Sequence, residues 1–600
     1  VDTSDGSDKL DLSPILNETV SELASLLRQN SRGVKQSALQ CLDVIVQSQQ
    51  GAKSDSKLHE LILQEVSGNI RDTDLHICHL SLRLSLAVME ASSTCGAAIN
   101  EHLLPALLTL SNSPCLQDLA LDSLLAVLGK AVQSDAVIFQ DLLVKLQNKE
   151  HGDSRQVIAN LAKCIAAVTV SADESNRGMV ISNILQSLES AEQNVYSTQL
   201  ALRVSGDVGR VVDLSKLTGV TDKLQQAYFS SFDSPSDGVK NAAAYGLGRA
   251  SVGATTTFLP VILSALEESN QKTRYLLLAA LRELINCHKI GASGETDITL
   301  IVQQILPQLT LHCADKEEGV RTVVAECLGS LACVASDEVL TQLQGLATKQ
   351  SVEEAIDADE EKNILVRSTV ATSVKFAIAG HCDTVKLLPY MTTFLQLMKE
   401  EDLTVRNAAL LMVYSAVHHN PKLVIGLMED HIMPSLIELA QNKMQRKIDL
   451  GPFKHVVDDF LPLRKAAISI FATCLEKCPR TINFASFMPI LTKALGDVED
   501  VQLQAHQIVT SMCSKFPTEI VGSLEGFIAP LQKTLNKRMG NKTGTELERA
   551  MEWVKSALRI IFVLSRVEGA MNLQMFADFV ERTRKSPTHQ IMLKELEEVM

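Results

Sequence analysis

Two glycine-rich stretches, a cysteine pair and two histidine pairs are the residues whose types and spacing invite a chemical reading. Gly246-Leu247-Gly248 begins like a phosphate loop, where glycines let backbone N–H groups approach a pyrophosphate. The next glycine is Gly253 and no strand-like run precedes it, so small residues packing one helix on another explain it better. Gly540-Asn541-Lys542-Thr543-Gly544 lacks the Walker spacing and reads as a polar loop. Cys474 and Cys478 have no second pair to complete a tetrahedral zinc site. His76 and His79 share a helix face, but no Glu completes a zincin pattern. His418-His419 stands at a helix end before Asn420-Pro421, where a cap or a favourable dipole contact is the usual role. No Gly-x-Ser-x-Gly elbow occurs. The expectation is a protein with no catalytic residues, no cofactor, no metal and no small-molecule substrate. An all-helical enzyme would need clustered ionisable residues, and the sequence offers none.

The elements that must position these residues announce themselves by repetition. An apolar residue, usually followed by Arg or Lys, then small or apolar residues, recurs along the chain. It reads Val34-Lys35, Val239-Lys240, Val320-Arg321, Val366-Arg367, Val405-Arg406 and Leu463-Arg464, with looser copies near Leu75, Leu116, Ser154, Val195, Thr273, Val501 and Val554. The spacing averages about 43 residues, the period of HEAT or armadillo repeats. Apolar residues within each copy recur at three and four, so the pattern lies on a helix with one buried face. A preceding helix tends to carry Leu-Pro, as at Pro105, Pro260, Pro307 and Pro489, where proline fits a first turn or a kink. The fold class is therefore all-α: a HEAT-repeat α-solenoid superhelix of about 13 helix pairs. Acidic or polar residues before the anchors, Ser236-Asp237, Asp315 and Asp402, are candidate helix caps. In many HEAT repeats, Asp and Arg of successive units form a polar ladder, and Arg321, Arg367, Arg406 and Arg464 are assigned to it.

Composition agrees. Residues are 46% hydrophobic but only 4% aromatic, with Trp553 the single tryptophan, which suits Leu- and Ala-rich helix packing. A formal charge of −15 argues against nucleic acid, since phosphate contacts need a basic face. No run of 18 apolar residues offers a membrane span. Thirteen scattered cysteines without a framework point to reduced thiols and a cytoplasmic and nuclear location, and the sequons at Asn17 and Asn541 then carry no meaning. The start on Val1 rather than Met suggests a piece of a longer protein. The acidic run Val352 to Glu361 reads as a solvated loop.

Two intervals are long: 58 residues from Val405 to Leu463 and 53 from Val501 to Val554. Extra length in a repeat maps to an insertion on one face. The first holds Lys443 to Asp459 with Gly451-Pro452 at its centre, a turn signal between short β-prone flanks. A two-stranded hairpin projecting from the solenoid fits this pattern. The chain divides accordingly into solenoid repeats (1–440), a hairpin insertion (441–462) and terminal repeats (463–600).

Ile448-Asp449-Leu450-Gly451-Pro452-Phe453-Lys454-His455-Val456-Val457-Asp458-Asp459, followed by Leu463-Arg464-Lys465-Ala466-Ala467, resembles the signature stretch of the cullin-associated, neddylation-dissociated proteins. The stretch from Lys533-Thr534-Leu535-Asn536-Lys537-Arg538 through Glu546-Leu547-Glu548-Arg549 to Lys555-Ser556-Ala557-Leu558-Arg559 is similar to the family's last repeat. The resemblance implies the C-terminal half of such a protein: a non-enzymatic regulator of unneddylated cullin–RING ubiquitin ligases. It implies binding to a cullin with its RING subunit, competition with the cullin adaptor, and exchange of substrate receptors in SCF-type assembly. Carried over position by position, the partner-binding candidates are Arg446, Lys447, Ile448, Asp449, Leu450, Gly451, Pro452, Phe453, Lys454 and His455. Phe453 is either an interface anchor or a cap folded on the solenoid core, and the resemblance favours contact. Phe460-Leu461-Pro462 departs from the glycine-containing tail expected after Asp459, which leaves the end of the hairpin open. A generic HEAT scaffold, such as a karyopherin-like carrier or a phosphatase scaffold subunit, shares the repeat but should lack the Gly-Pro-Phe-Lys-His insertion.

Overall fold

The computed structural model describes residues 13–48, 56–92, 94–147, 154–190, 194–217, 219–289, 298–348, 360–450, 453–537 and 543–587, with 589, 590 and 592. The chain forms two compact units, Val1–Thr296 and Asp297–Met600, and their boundary falls inside the 1–440 segment drawn from sequence. Among the described residues the only strands are those of one hairpin. Everything else regular is helical, in the all-α HEAT-type pattern that the repeat predicts.

Each of the thirteen anchors lies in, or within two residues of, the second helix of a pair. These second helices, numbered here in chain order, are α1 (Arg32–Gln47), α2 (Leu75–Ala91), α3 (Asp118–Gln133), α4 (Arg155–Ser171), α5 (Val195–Gly209), α6 (Asp237–Gly253) and α7 (Gln271–Lys289) in the first unit. The second unit holds α8 (Glu318–Val334), α9 (Glu360–Ala379), α10 (Leu403–His419), α11 (Leu461–Lys477), α12 (Glu499–Lys515) and α13 (Thr545–Ser565). Helix α8 shows why they form. Val320, Val323, Val324, Cys327, Leu328 and Leu331 are buried, a three-and-four spacing that puts one continuous stripe against the partner helices. The prolines of the first helices take two kinds of position. Pro105 sits in a first turn, whereas Pro260, Pro307 and Pro489 lie inside their helices.

The capping residues divide. Asp402 accepts from the N–H groups of Thr404 and Val405 at 2.8 and 3.0 Å and caps α10. Ser236 occupies the cap position of α6 without a side-chain bond. Asp315 accepts from the N–H of Glu317, one residue before α8 begins. The ladder is also partial. Arg367 faces Glu400 at 3.7 Å, Arg406 faces Glu438 at 3.5 Å, and Arg464 faces Asp497 at 3.0 Å, each an acid further along the chain beside a neighbouring helix. Arg321 instead donates to the carbonyls of Asp315 and Lys316 at its own helix entry.

In the first unit, α5, α6 and α7 pack unusually close. A methyl on Gly246 would overlap the Leu202 carbonyl and the Tyr228 ring, and one on Gly248 would overlap the Ala280 carbonyl. Gly246-Leu247-Gly248 is thus a helix-packing element, as its failed phosphate-loop spacing suggests. On the same helices sits a polar cluster. Asp207 of α5 accepts from the Tyr245 hydroxyl at 2.9 Å and pairs with Arg249 Nε at 2.6 Å. The Arg203 guanidinium stacks over the Tyr245 ring, 4.7 Å from its centre. Burial pushes the neighbouring Glu283 carboxyl up and the Arg203 guanidinium down from their ordinary values, the sign expected of charges held in a desolvated site.

Candidate protein-docking site

The long interval after α10 begins with short helical turns and the helix Met433–Leu439. The chain then leaves the stack and forms β1 (Gln445–Leu450) and β2 (Phe453–Asp458), an antiparallel pair. The register sets Arg446 opposite Val457, Lys447 opposite Val456 and Leu450 opposite Phe453. The second strand ends at Asp458, and α11 starts at Leu461 with Pro462 in its first turn. The Phe460-Leu461-Pro462 departure is therefore a helix entry, since proline at that position lacks only an N–H that the first turn leaves unbonded.

A lone two-stranded hairpin is marginal in water, so its root must be held. Arg464, on the first turn of α11, does this while itself 0% exposed. Its Nη1 lies 2.8 Å from Asp458 Oδ2 at the end of β2 and donates to the Asn442 carbonyl at 2.9 Å, just before β1. Its Nε and Nη2 donate to Asp497 at 3.0 and 3.3 Å. Lys443 adds a bond to Asp497 at 3.1 Å. Asp458 also accepts from the N–H groups of Met444 and Phe460, and Arg446 pairs with Asp459 at 2.7 Å. One buried guanidinium thus joins both ends of the hairpin to the loop before α12. Burial pushes the Asp458 carboxyl up, but the Met444 N–H, the Arg464 guanidinium and the Phe460 N–H outweigh it and hold it below its ordinary value.

Beyond the root, the flanks are open. Gln445, Arg446 and Lys447 are exposed on β1. Val456 and Val457 are 57% and 36% exposed on β2, and Met444 adds a further exposed apolar side chain. Of the sequence-derived candidates, Arg446 and Lys447 are placed on this open ribbon. The side chains of Ile448, Asp449, Leu450, Phe453, Lys454 and His455, and all of Gly451 and Pro452, lie outside the described residues. Sequence reasoning stopped at His455 and so missed the adjacent Val456-Val457. Two consecutive β-branched residues on a two-stranded ribbon were the available signal, since alternation points them to opposite faces. Arg464 is a ladder residue through Asp497 and, beyond that expectation, the anchor of the strand end through Asp458.

The basic stretch of the last repeat is engaged with α12. Lys537 Nζ stands 3.2 Å above the Trp553 ring, Trp553 donates to Gln502, and Arg549 pairs with Glu499 at 2.8 Å. Arg538 and most of the 540–544 loop lie outside the described residues, as does the acidic run up to residue 359. His79 Nδ1 contacts Ser123 Oγ at 2.7 Å, and His418 stacks on Tyr414. Among the described residues, no group of three or more His, Cys, Asp or Glu side chains is arranged to hold a metal ion, and no helix is long and apolar enough to cross a membrane. What the hairpin can do with this chemistry is present an extended, mixed apolar and basic ribbon on a fixed base.

Comparison with known proteins follows the same segment. The family model described as TATA-binding protein interacting (TIP20) matches residues 423–584, which contain the whole hairpin and its root. Over 93% of its length the chain is 32% identical to Cullin-associated NEDD8-dissociated protein 1 of Arabidopsis thaliana, covering 46% of that protein. A protein of the same name from Dictyostelium discoideum is 31% identical over 96% of the chain and 46% of its own length. An Emericella nidulans protein named as the C-terminal part of Cullin-associated NEDD8-dissociated protein 1 is 24% identical over 92% of the chain and 50% of its own. The chain spans about half the length of these relatives. Yeast importin-beta aligns with a TM-score of 0.47 at 13% identity, over 95% of the chain and 71% of that structure.

Proposed function

Because the chain belongs to the family of cullin-associated NEDD8-dissociated proteins, we propose that it is a cullin-binding assembly factor that acts by binding alone, with no catalytic step of its own. In this reading the helical repeats hold an unneddylated cullin with its RING subunit, and the hairpin takes the surface that the adaptor–substrate-receptor module needs. The observation that carries it is the hairpin: a ribbon with an ion-paired, buried root and open flanks, inside the segment that the family model matches. Val456, Val457 and Met444 supply apolar area, and Arg446 and Lys447 a basic edge, the composition of a small protein interface.

Exchange follows from linkage. If solenoid and adaptor both hold one cullin and their sites overlap, each weakens the other by the same factor, so either speeds the other's departure. No bond need be made. The thirteen cysteines, none of them disulfide-bonded, suit a reducing compartment, cytoplasm or nucleus.

The test is a competition pull-down with an unneddylated cullin–RING complex, this chain and increasing adaptor, beside a variant in which residues 446–455 are a Gly/Ser linker. The expected result is capture of the intact chain, its displacement by adaptor, and loss of competition in the variant. Equal competition by the variant refutes the hairpin's role. No capture of the chain under conditions that capture one of its longer relatives refutes cullin binding by this chain and leaves the carrier or scaffold alternative.

A further inference from the structure

Helices α8 and α9 cross closely enough that a methyl on Gly329 would overlap Phe376 and the Ser373 carbonyl. One turn beyond Gly329, α8 carries Cys333. At the other side of the crossing, α9 ends in a left-handed turn. The Gly380 N–H donates to the Phe376 carbonyl at 2.8 Å, His381 adopts a φ of 61°, and the Cys382 N–H reaches back to the Ala377 carbonyl at 3.0 Å. This closure usually places glycine at the left-handed position. It turns Cys382 back onto α8.

The two sulfurs are interlocked. Cys382 Sγ lies 3.2 Å from the carbonyl of Ala332, the residue before Cys333. Cys333 Sγ lies 3.5 Å from the Gly380 carbonyl and 3.6 Å from that of Ala377. Each sulfur thus rests on the backbone beside the other cysteine. Ser336 Oγ is 3.9 Å from Cys382 Sγ. Cys333 is half-buried, while Cys382 is buried. The neighbouring Cys333 thiol, with Ser336 and the Asp383 N–H, overcomes burial and lowers Cys382 to about 7.

We propose that Cys333 and Cys382 form a dithiol site whose substrate is a hydroperoxide, and whose product is a disulfide stapling two successive repeats. One sulfur, as thiolate, attacks the outer peroxide oxygen. The O–O bond breaks, an alkoxide or hydroxide leaves and takes a proton from solvent, and the sulfur becomes a sulfenic acid. The second thiol attacks that sulfur, the S–O bond breaks, and water leaves with the thiol proton. Two thiols and one hydroperoxide yield one disulfide, one alcohol or water, and one water. The bond closes a loop over 48 intervening residues, including the helix Ser336–Ala347. Cys474 and Cys478 form the natural comparison. There too one thiol acts on the other: Cys478 is lowered to about 6 by the Cys474 thiol and Thr481. Both are buried, and a bond between them would span one turn at the end of a single helix. The site does not depend on the cullin reading.

The experiment uses the reduced full chain titrated with hydrogen peroxide, blocked with an alkylating agent, digested without reductant and read by mass spectrometry. The expected product is a Cys333–Cys382 linked peptide, formed before oxidation of the exposed Cys41 and Cys115, reversed by dithiothreitol, and accompanied by a higher melting midpoint. Cys478→Ser retains the link. Cys382→Ser loses it and leaves Cys333 to oxidise further. The proposal fails if the wild-type chain yields both cysteines alkylated once Cys41 and Cys115 are oxidised, if both carry separate oxygen adducts, or if Cys474–Cys478 links first. These outcomes are read on the wild type, so they hold whether or not the variants fold.

Discussion

Two buried polar clusters, one in each unit, use the same side-chain chemistry for opposite ends. In the first unit, Asp207, Tyr245, Arg249 and Arg203 tie together helices that glycines already bring into contact. In the second, Arg464, Asp458 and Asp497 tie a helix to the root of a ribbon whose described flanking residues Gln445, Arg446, Lys447, Val456 and Val457 are exposed. Where close packing fixes the geometry, ion pairs only refine it. Where the described side chains are open to solvent, they hold the geometry at the root. A buried ion pair is weak evidence for net stability, so the difference must show in what happens when each cluster is changed.

The largest predicted effect is at the hairpin root. Arg464→Leu takes away the buried guanidinium that two half-buried carboxylates share, leaving them only Lys443 and backbone N–H groups, at a cost of about 2–5 kcal/mol. Hydrogen exchange at residues 445–458 should lose its protection while α5 to α7 keep theirs. Retained protection of the hairpin would break the comparison. Next comes Gly246→Ala, which overpacks the first unit and should cost about 1–3 kcal/mol, seen as a lower urea midpoint for that unit with the hairpin unaffected. Acidification should come third. The Asp458 carboxyl lies below its ordinary value in the folded protein, so its contribution is complete above the unfolded value of ~3.9 and fades as pH falls below it. Hairpin protection factors should drop in that window, and Asp458→Asn should remove the pH dependence along with part of the protection. The smallest effect should follow replacement of Asp207, Tyr245, Arg249 and Arg203 together by Leu, Phe, Met and Met. An apolar set of similar volume should leave stability within about 1 kcal/mol, measured by chemical denaturation. A large loss there would mean that the first cluster, too, sets its geometry.

The repeats were legible because their signal is local. Thirteen anchors found thirteen second helices, since a three-and-four apolar stripe is written within one element. The hairpin was legible from Gly451-Pro452 and its β-prone flanks. Caps were half legible: Asp402 bonds the N–H groups that its position predicts, while Ser236 only occupies the place. The role of Arg464 was not legible, because a guanidinium following an apolar anchor looks the same whether it meets one acid or two. Arg321 follows its anchor just as Arg464 does, yet bonds the carbonyls of Asp315 and Lys316. The partner is set by chain 22 and 33 residues away, at Asn442 and Asp497. The division of the chain near residue 296 was hidden for a related reason: a repeat pattern does not record which neighbours pack well.

The rooted hairpin has a mechanical consequence. Six-residue strands rising about 3.4 Å per residue make an arm of about 20 Å, pinned at one end by a guanidinium that also grips the loop leading into α12. A sideways load at the tip therefore arrives at Arg464 as a torque, shared between α11 and the next repeat, so that whatever pushes on the ribbon pushes on the spring of the solenoid behind it.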